Sequence, residues 1–228
     1  MPDLPQKKLM NMENHGSEEN GKRQRKVTFG ERTKTEKVVT ETTSNTMNHD
    51  LTKTINSLFF QEKWKEARDV LLHALARDRD NHWILARLST TYYEEKKYKD
   101  ALKYIEKASE TNPDCPLVLW DLGGTYFALG KFRESFRAYR KLMSKGPEKI
   151  ASDVCGEGPQ WSLSLLIDCF FRCGLCAHEL KHDEVARKLL LSFIDLRSRW
   201  THGCIHSISE ASEAIEECVN ASRPWKPR

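Results

Sequence analysis

Cys169, Cys173 and Cys176 stand four and three residues apart in the run Cys169-Phe170-Phe171-Arg172-Cys173-Gly174-Leu175-Cys176. Cysteine thiolates are the ligands of iron–sulfur clusters, and three so close in sequence could share one. Joined by His178, His182 or Cys155, they also suit a single metal ion, because thiolate and imidazole are the ligands of zinc. The same spacing is one stripe of a helix, where cysteine packs as a small hydrophobe. A cluster loop beside a barrel strand needs alternating strands and helices around it, and that pattern is absent. The structural reading is therefore favoured. No cofactor is expected, and Cys169, Cys173 and Cys176 remain the metal candidates.

A second set of residues points to docking rather than catalysis. Lys22-Arg23-Gln24-Arg25 precedes Lys26-Val27-Thr28-Phe29. The segment resembles the short motif by which regulators dock on protein phosphatase 1. That resemblance implies that Val27 and Phe29 fill two pockets and Lys26 sits beside them. Arg25-Lys26-Val27-Thr28 also resembles a basophilic kinase site, and phosphate on Thr28 would oppose docking in an apolar pocket. The alternatives are a solvated basic stretch or a nuclear-import or nucleic-acid signal. No catalytic constellation stands out: there is no phosphate-cradling glycine loop and no nucleophile elbow. His178, His182, His202 and His206 are scattered over helix ends and a loop. The chain is read as a non-enzyme.

Whole-chain properties narrow the class. With 37 basic and 33 acidic residues the net charge is only +4, which argues against nucleic acid as a partner. No apolar run reaches the length of a membrane span. The N-terminal stretch lacks the apolar core of a secretion signal. A cytoplasmic protein is expected, with the nucleus as the other compartment. The seven cysteines are then expected to be reduced, and the Asn220-Ala221-Ser222 sequon unused.

The elements that must position these groups are helices. Residues 1–47 are rich in Lys, Arg, Glu, Thr and Asn and poor in large apolar residues, the composition of a disordered arm. From Asn48 onward apolar residues recur three and four apart, as amphipathic helices require. A longer period overlies that pattern. Ala67, Ala101 and Ser135 are spaced by 34 residues, and so are Leu88 and Leu122, Tyr92 and Tyr126, Pro113 and Pro147. A period of this length marks a stacked-repeat architecture.

The repeats resemble the tetratricopeptide repeat family. Residues 82–115 show Leu85, Leu88-Ser89, Tyr92, Ala101, Ile105, Ala108 and Pro113 at the family's signature positions. Residues 116–149 show Leu119, Leu122-Gly123, Tyr126, Ser135, Tyr139, Leu142 and Pro147. Residues 48–81 are more degenerate, with Leu51, Leu58, Ala67, Leu71 and Ala74. The resemblance implies an all-α, right-handed α-solenoid of antiparallel helix pairs. It predicts three to four units over 48–221, a divergent fourth unit near 160–200 and a tail over 222–228. In that fourth unit Cys173-Gly174 takes the Leu-Gly position and Ala186 the small-residue position. A capping helix is expected near 207–220, with Ile208, Ala211, Ile215 and Val219 on its buried face.

Carrying the family's groove positions across gives Asn56, Phe59 and Phe60, then Trp83, Ala86, Thr90 and Tyr93. The third repeat adds Leu117, Trp120, Gly124 and Phe127. An apolar, aromatic groove implies a protein partner that offers a peptide or a helix. The leading expectation is an adaptor or scaffold, with a small chaperone for secreted proteins as a variant. The competing expectation is that the long helix starting at Trp161, or the arm, fills the groove. The chaperone-tail clamp found in some members is not expected. Its positions fall on Thr52, Asn56, Arg87, Leu117 and Asp121, where only Asn56 agrees. Two end faces leave homodimerisation open.

Overall fold

The computed structural model describes residues 50–221, which are helical with no strand among them. The arm over 1–47, including Lys26, Val27 and Phe29, and the tail over 222–228 lie outside the described residues. Helix α1 covers residues 50–60. It is followed by α2 (Trp64–Leu75), α3 (His82–Glu94), α4 (Tyr98–Thr111), α5 (Pro116–Ala128) and α6 (Phe132–Met143). Then come the short α7 (Pro147–Ala151), the long α8 (Gly158–Glu179), α9 (Asp183–Arg199) and α10 (Ile208–Ala221). Consecutive helices pack as pairs, α1 with α2, α3 with α4, α5 with α6, and α8 with α9, in the arrangement of an α-solenoid. Among the described residues no helix is long and apolar enough to cross a membrane.

Each pair turns on one residue of left-handed backbone: Glu62 (φ 58°), Lys96 (φ 59°), Gly130 (φ 72°) and Lys181 (φ 64°). Glu62, Lys96 and Gly130 are spaced by the same 34 residues, so the chain uses one turn three times. Lys181 stands 51 residues beyond Gly130, which places 17 extra residues before the fourth turn. They go into α7, the irregular segment 152–157 and the lengthened α8, which runs for 22 residues. Pro116, Pro147 and Pro159 lie in the first turns of α5, α7 and α8, where the missing amide costs no hydrogen bond.

The helix crossings explain why small residues recur. In the second pair the Ser89 hydroxyl donates to the Ala101 carbonyl oxygen at 2.9 Å. In the third pair the Ser135 hydroxyl donates to the Gly123 carbonyl oxygen at 2.8 Å. These are the same two positions one period later, with donor and acceptor exchanged. A Cβ on Gly123 would sit 2.7 Å from the Tyr139 ring, and one on Gly174 would sit 2.7 Å from Leu190. The fourth pair therefore crosses at Gly174 and beside Ala186, which is fully buried. Ala101 is fully buried as well. Ala101→Leu is expected to lower stability by about 1–3 kcal/mol through overpacking. Thermal unfolding followed by circular dichroism reads the loss, and an unchanged melting temperature would contradict the crossing.

Helix α10 closes the C-terminal end against α9 and α8. Ser207 and Glu210 begin it with a reciprocal cap: the Glu210 N–H donates to Ser207 Oγ at 3.2 Å, and the Ser207 N–H donates to Glu210 at 2.6 Å. Its buried face is Ala211, Ala214 and Cys218, while Ile208 and Val219 are exposed. The face expected from Ile208, Ala211, Ile215 and Val219 is thus rotated. Alanine and cysteine let α10 approach its neighbours more closely than branched side chains would allow.

Candidate functional site

The structure separates the residues expected to line one groove. Phe59 is buried within the first pair, edge-on to Trp64 at 5.2 Å, and Asn56, three residues earlier in α1, is half-buried. Phe60 faces solvent, 73% exposed. Ala86, Thr90, Leu117, Trp120 and Gly124 are all buried, and Trp83 is half-buried. The segment 152–157 and the start of α8 account for much of this burial. Cys155 packs in the cluster that holds Ala86, Leu117 and Trp83. Glu157 meets Arg87 of α3 at 3.5 Å. Trp161 and Leu165 pack in the cluster that holds Trp120.

Two of the expected residues do come together. Tyr93, at the end of α3, and Phe127, at the end of α5, line a cleft of about 590 Å³. Phe171 and Leu175 of α8 and Ala214 of α10 complete its apolar floor, with the buried Arg172 among them. Glu179, Glu210, Glu213 and Glu217 also line it, so its acidic and basic side chains are four carboxylates and one guanidinium, beside the Tyr93 phenol. The Glu210 carboxyl is held down at about 2, chiefly by His206 and then by Ser207. It therefore keeps its charge throughout the neutral range.

Buried polar groups tie together the helices whose ends form this cleft. Asp121 of α5 accepts a hydrogen bond from the Thr90 hydroxyl of α3 at 3.1 Å. Asp168 of α8 accepts the backbone N–H groups of Ile205 at 2.7 Å and His206 at 3.2 Å. That pair of bonds ties the irregular connection 200–207 onto α8. The His206 ring stacks on Phe171 with centroids 4.1 Å apart. Burial pushes both carboxyls up to about 7, against the downward pull of Arg87 on Asp121 and of the two N–H donors on Asp168.

The sign of the resulting pH dependence follows directly. An acid whose folded pKa is raised binds more protons in the folded state, so its stabilisation is complete below the unfolded value. It fades as pH rises through about 7. Asp121→Asn keeps an acceptor for Thr90 and removes the titration. Wild-type stability is expected to fall relative to this variant between pH 4 and about 7. Urea unfolding at several pH values measures the difference, and parallel curves would contradict it.

The three cysteines of α8 pack into the core. Cys169, Cys173 and Cys176 are buried in the cluster of Trp120 and Tyr139. Burial raises all three thiols, to about 11 for Cys176, whose Sγ lies 3.2 Å from Ser135 Oγ. Among the described residues two other groups bring three ligand atoms within 4.8 Å of one another. One is His178, Asp183 and Cys218, in which His178 Nδ1 lies 2.6 Å from the Asp183 carboxylate. The other is His82, Cys115 and Cys155, in which His82 Nε2 lies 3.2 Å from Cys155 Sγ. The Cys115 thiol is pulled down to about 5, first by a hydrogen bond from Cys155 and then by one from His82. The hydrogen bond to Cys115, together with burial, pushes the Cys155 thiol up. His82 is raised by its bond to Cys115.

Sequence reasoning missed His82 and Cys115, which are 33 residues apart and repeat nowhere else in the chain. It also missed Asp168, whose partners are backbone amides 37 and 38 residues away.

Residues 58–119 match the family model described as tetratricopeptide repeat. No curated protein matches the chain in sequence. Among solved structures, "Crystal structure of MamA" is similar at 13% identity, with a TM-score of 0.52, over 73% of this chain and 92% of that one. "MamA 41-end from Desulfovibrio magneticus RS-1" is similar at 10% identity, with a TM-score of 0.52, over 75% and 92%. At these identities the likeness is one of fold.

Proposed function

We propose, from the premise that this chain belongs to the tetratricopeptide repeat family, that it is a non-enzymatic protein-interaction module. Repeats of this kind serve as protein-binding scaffolds, because a stack of helix pairs presents an extended concave surface. Its ligand is a basic segment with apolar anchors, peptide or helix, carried by another protein. The segment seats in the cleft between the ends of α3 and α5 and the facing sides of α8 and α10.

One observation supports the reading: Tyr93, Phe127, Phe171 and Leu175 line the same cleft as Glu179, Glu210, Glu213 and Glu217. Each apolar side chain buried in that cleft contributes about 1.5–3 kcal/mol before ordering costs. The carboxylates select the sign of the partner and speed its approach. Glu213 and Glu217 are exposed, so reversing them leaves the core untouched.

Peptides selected from a display library against the full chain are expected to be net basic, with two or more large apolar residues. E213K/E217K is expected to weaken them roughly tenfold or more at low salt, while stability stays within about 0.5 kcal/mol of wild type. Selection of acidic or uncharged peptides, or binding unaffected by the reversal, would place the ligand elsewhere.

A further inference from the structure

We propose that His82, Cys115 and Cys155 form a binding site for a zinc-class divalent metal ion, which clips the segment 152–157 onto the second and third helix pairs. Three separate elements meet there. His82 opens α3, Cys115 is the residue before α5, and Cys155 lies in the irregular segment after α7. A tetrahedral ion with bonds of about 2.3 Å to sulfur and 2.0–2.1 Å to nitrogen holds its ligand atoms roughly 3.3–3.8 Å apart. The His82–Cys155 separation is 3.2 Å, and all three ligand atoms lie within 4.8 Å, so side-chain adjustment alone closes the site.

Charge and softness agree with such an ion. Two thiolates and a neutral imidazole offset the dication, leaving no net charge in a place where Cys115 is fully buried. Sulfur and imidazole donors select zinc over magnesium or calcium. Binding forms two metal–sulfur bonds and one metal–nitrogen bond, and the protons still held by the thiols and by the coordinating imidazole nitrogen leave to solvent. No oxidant is needed. The half-buried Cys155 and His82 leave a route of entry and an open fourth position for water.

The segment itself is built to be held there. Val154 is 85% exposed, so its burial does not anchor the segment. Cys155 packs against the cluster of Ala86 and Leu117, Glu157 reaches Arg87 of α3, and Asp153 Oδ1 accepts the Cys155 N–H at 3.1 Å within the segment. A Cβ on Gly156 would come within 2.4 Å of the Ile150 carbonyl oxygen, so the backbone has one tight course past α7.

The test uses the full chain, reduced, stripped by a chelator and titrated with Co2+ and then Zn2+. A thiolate-to-cobalt band saturating at one ion per chain and bleached by Zn2+ is expected. Zn2+ is also expected to slow cleavage after Glu157 by a glutamate-specific protease. Cys155→Ser and His82→Gln lose the band and the protection while keeping wild-type helicity. Cys218→Ser, at the other three-residue group, keeps both. Absence of the band, its survival in Cys155→Ser, or its loss in Cys218→Ser alone would overturn the proposal. So would a Cys115–Cys155 disulfide whose reduced form takes up no metal.

Discussion

Trp120→Asp is expected to unfold the helix stack. Trp120 is 3% exposed, lies edge-on to Tyr139 with centroids 5.4 Å apart, and has the Arg172 guanidinium 5.9 Å from its ring. Truncating a buried tryptophan costs about 3–5 kcal/mol through lost transfer energy and the cavity left behind. The carboxylate adds a desolvation cost that a single neighbouring guanidinium offsets only in part. Total stability of a domain is about 5–15 kcal/mol, so the variant falls near or below the folding threshold. Circular dichroism during heating measures this. A folded Trp120→Asp with an unchanged melting temperature would place Trp120 on a free surface.

Asp168→Ala is expected to have the next largest effect, and to act on the cleft as well as on stability. The carboxyl is fully buried and receives two backbone N–H groups from the connection between α9 and α10. Removing it orphans both donors, at about 1–3 kcal/mol each. It also frees the start of α10, which supplies Ala214, Glu213 and Glu217 to the cleft. Urea unfolding should show the destabilisation, and limited proteolysis should show new cleavage in the 200–207 connection. Asp168→Asn keeps one acceptor and should lose less. Wild-type stability and intact connections in Asp168→Ala would mean that Ile205 and His206 find other partners.

The legible part of the fold is the part that repeats. Ala67, Ala101 and Ser135 reveal the period because two helices cross too closely there for a larger side chain. Ala186 and Gly174 extend it to the fourth pair for the same reason. The groove was less legible, because family positions assume a free inner face. Here 17 extra residues before the fourth turn carry Cys155, Glu157 and Trp161 back over the expected groove, and only Tyr93 and Phe127 still line the open cleft. The acidic rim comes from α8 and α10, whose placement no local pattern encodes. The three cysteines of α8 drew attention through their spacing, yet that spacing is the helical repeat that buries them. His82, Cys115 and Cys155 have no spacing rule at all, since the inserted segment alone brings Cys155 to the other two.

The central claim is that a basic, apolar segment of another protein binds between α3, α5, α8 and α10. Amide hydrogen exchange of the full chain, with and without a selected peptide, tests it most directly. Protection is predicted at the C-terminal ends of α3 and α5, along the second half of α8 and along α10. Protection confined to α2, α4 and α6, or none with a peptide bound at saturation, would contradict it.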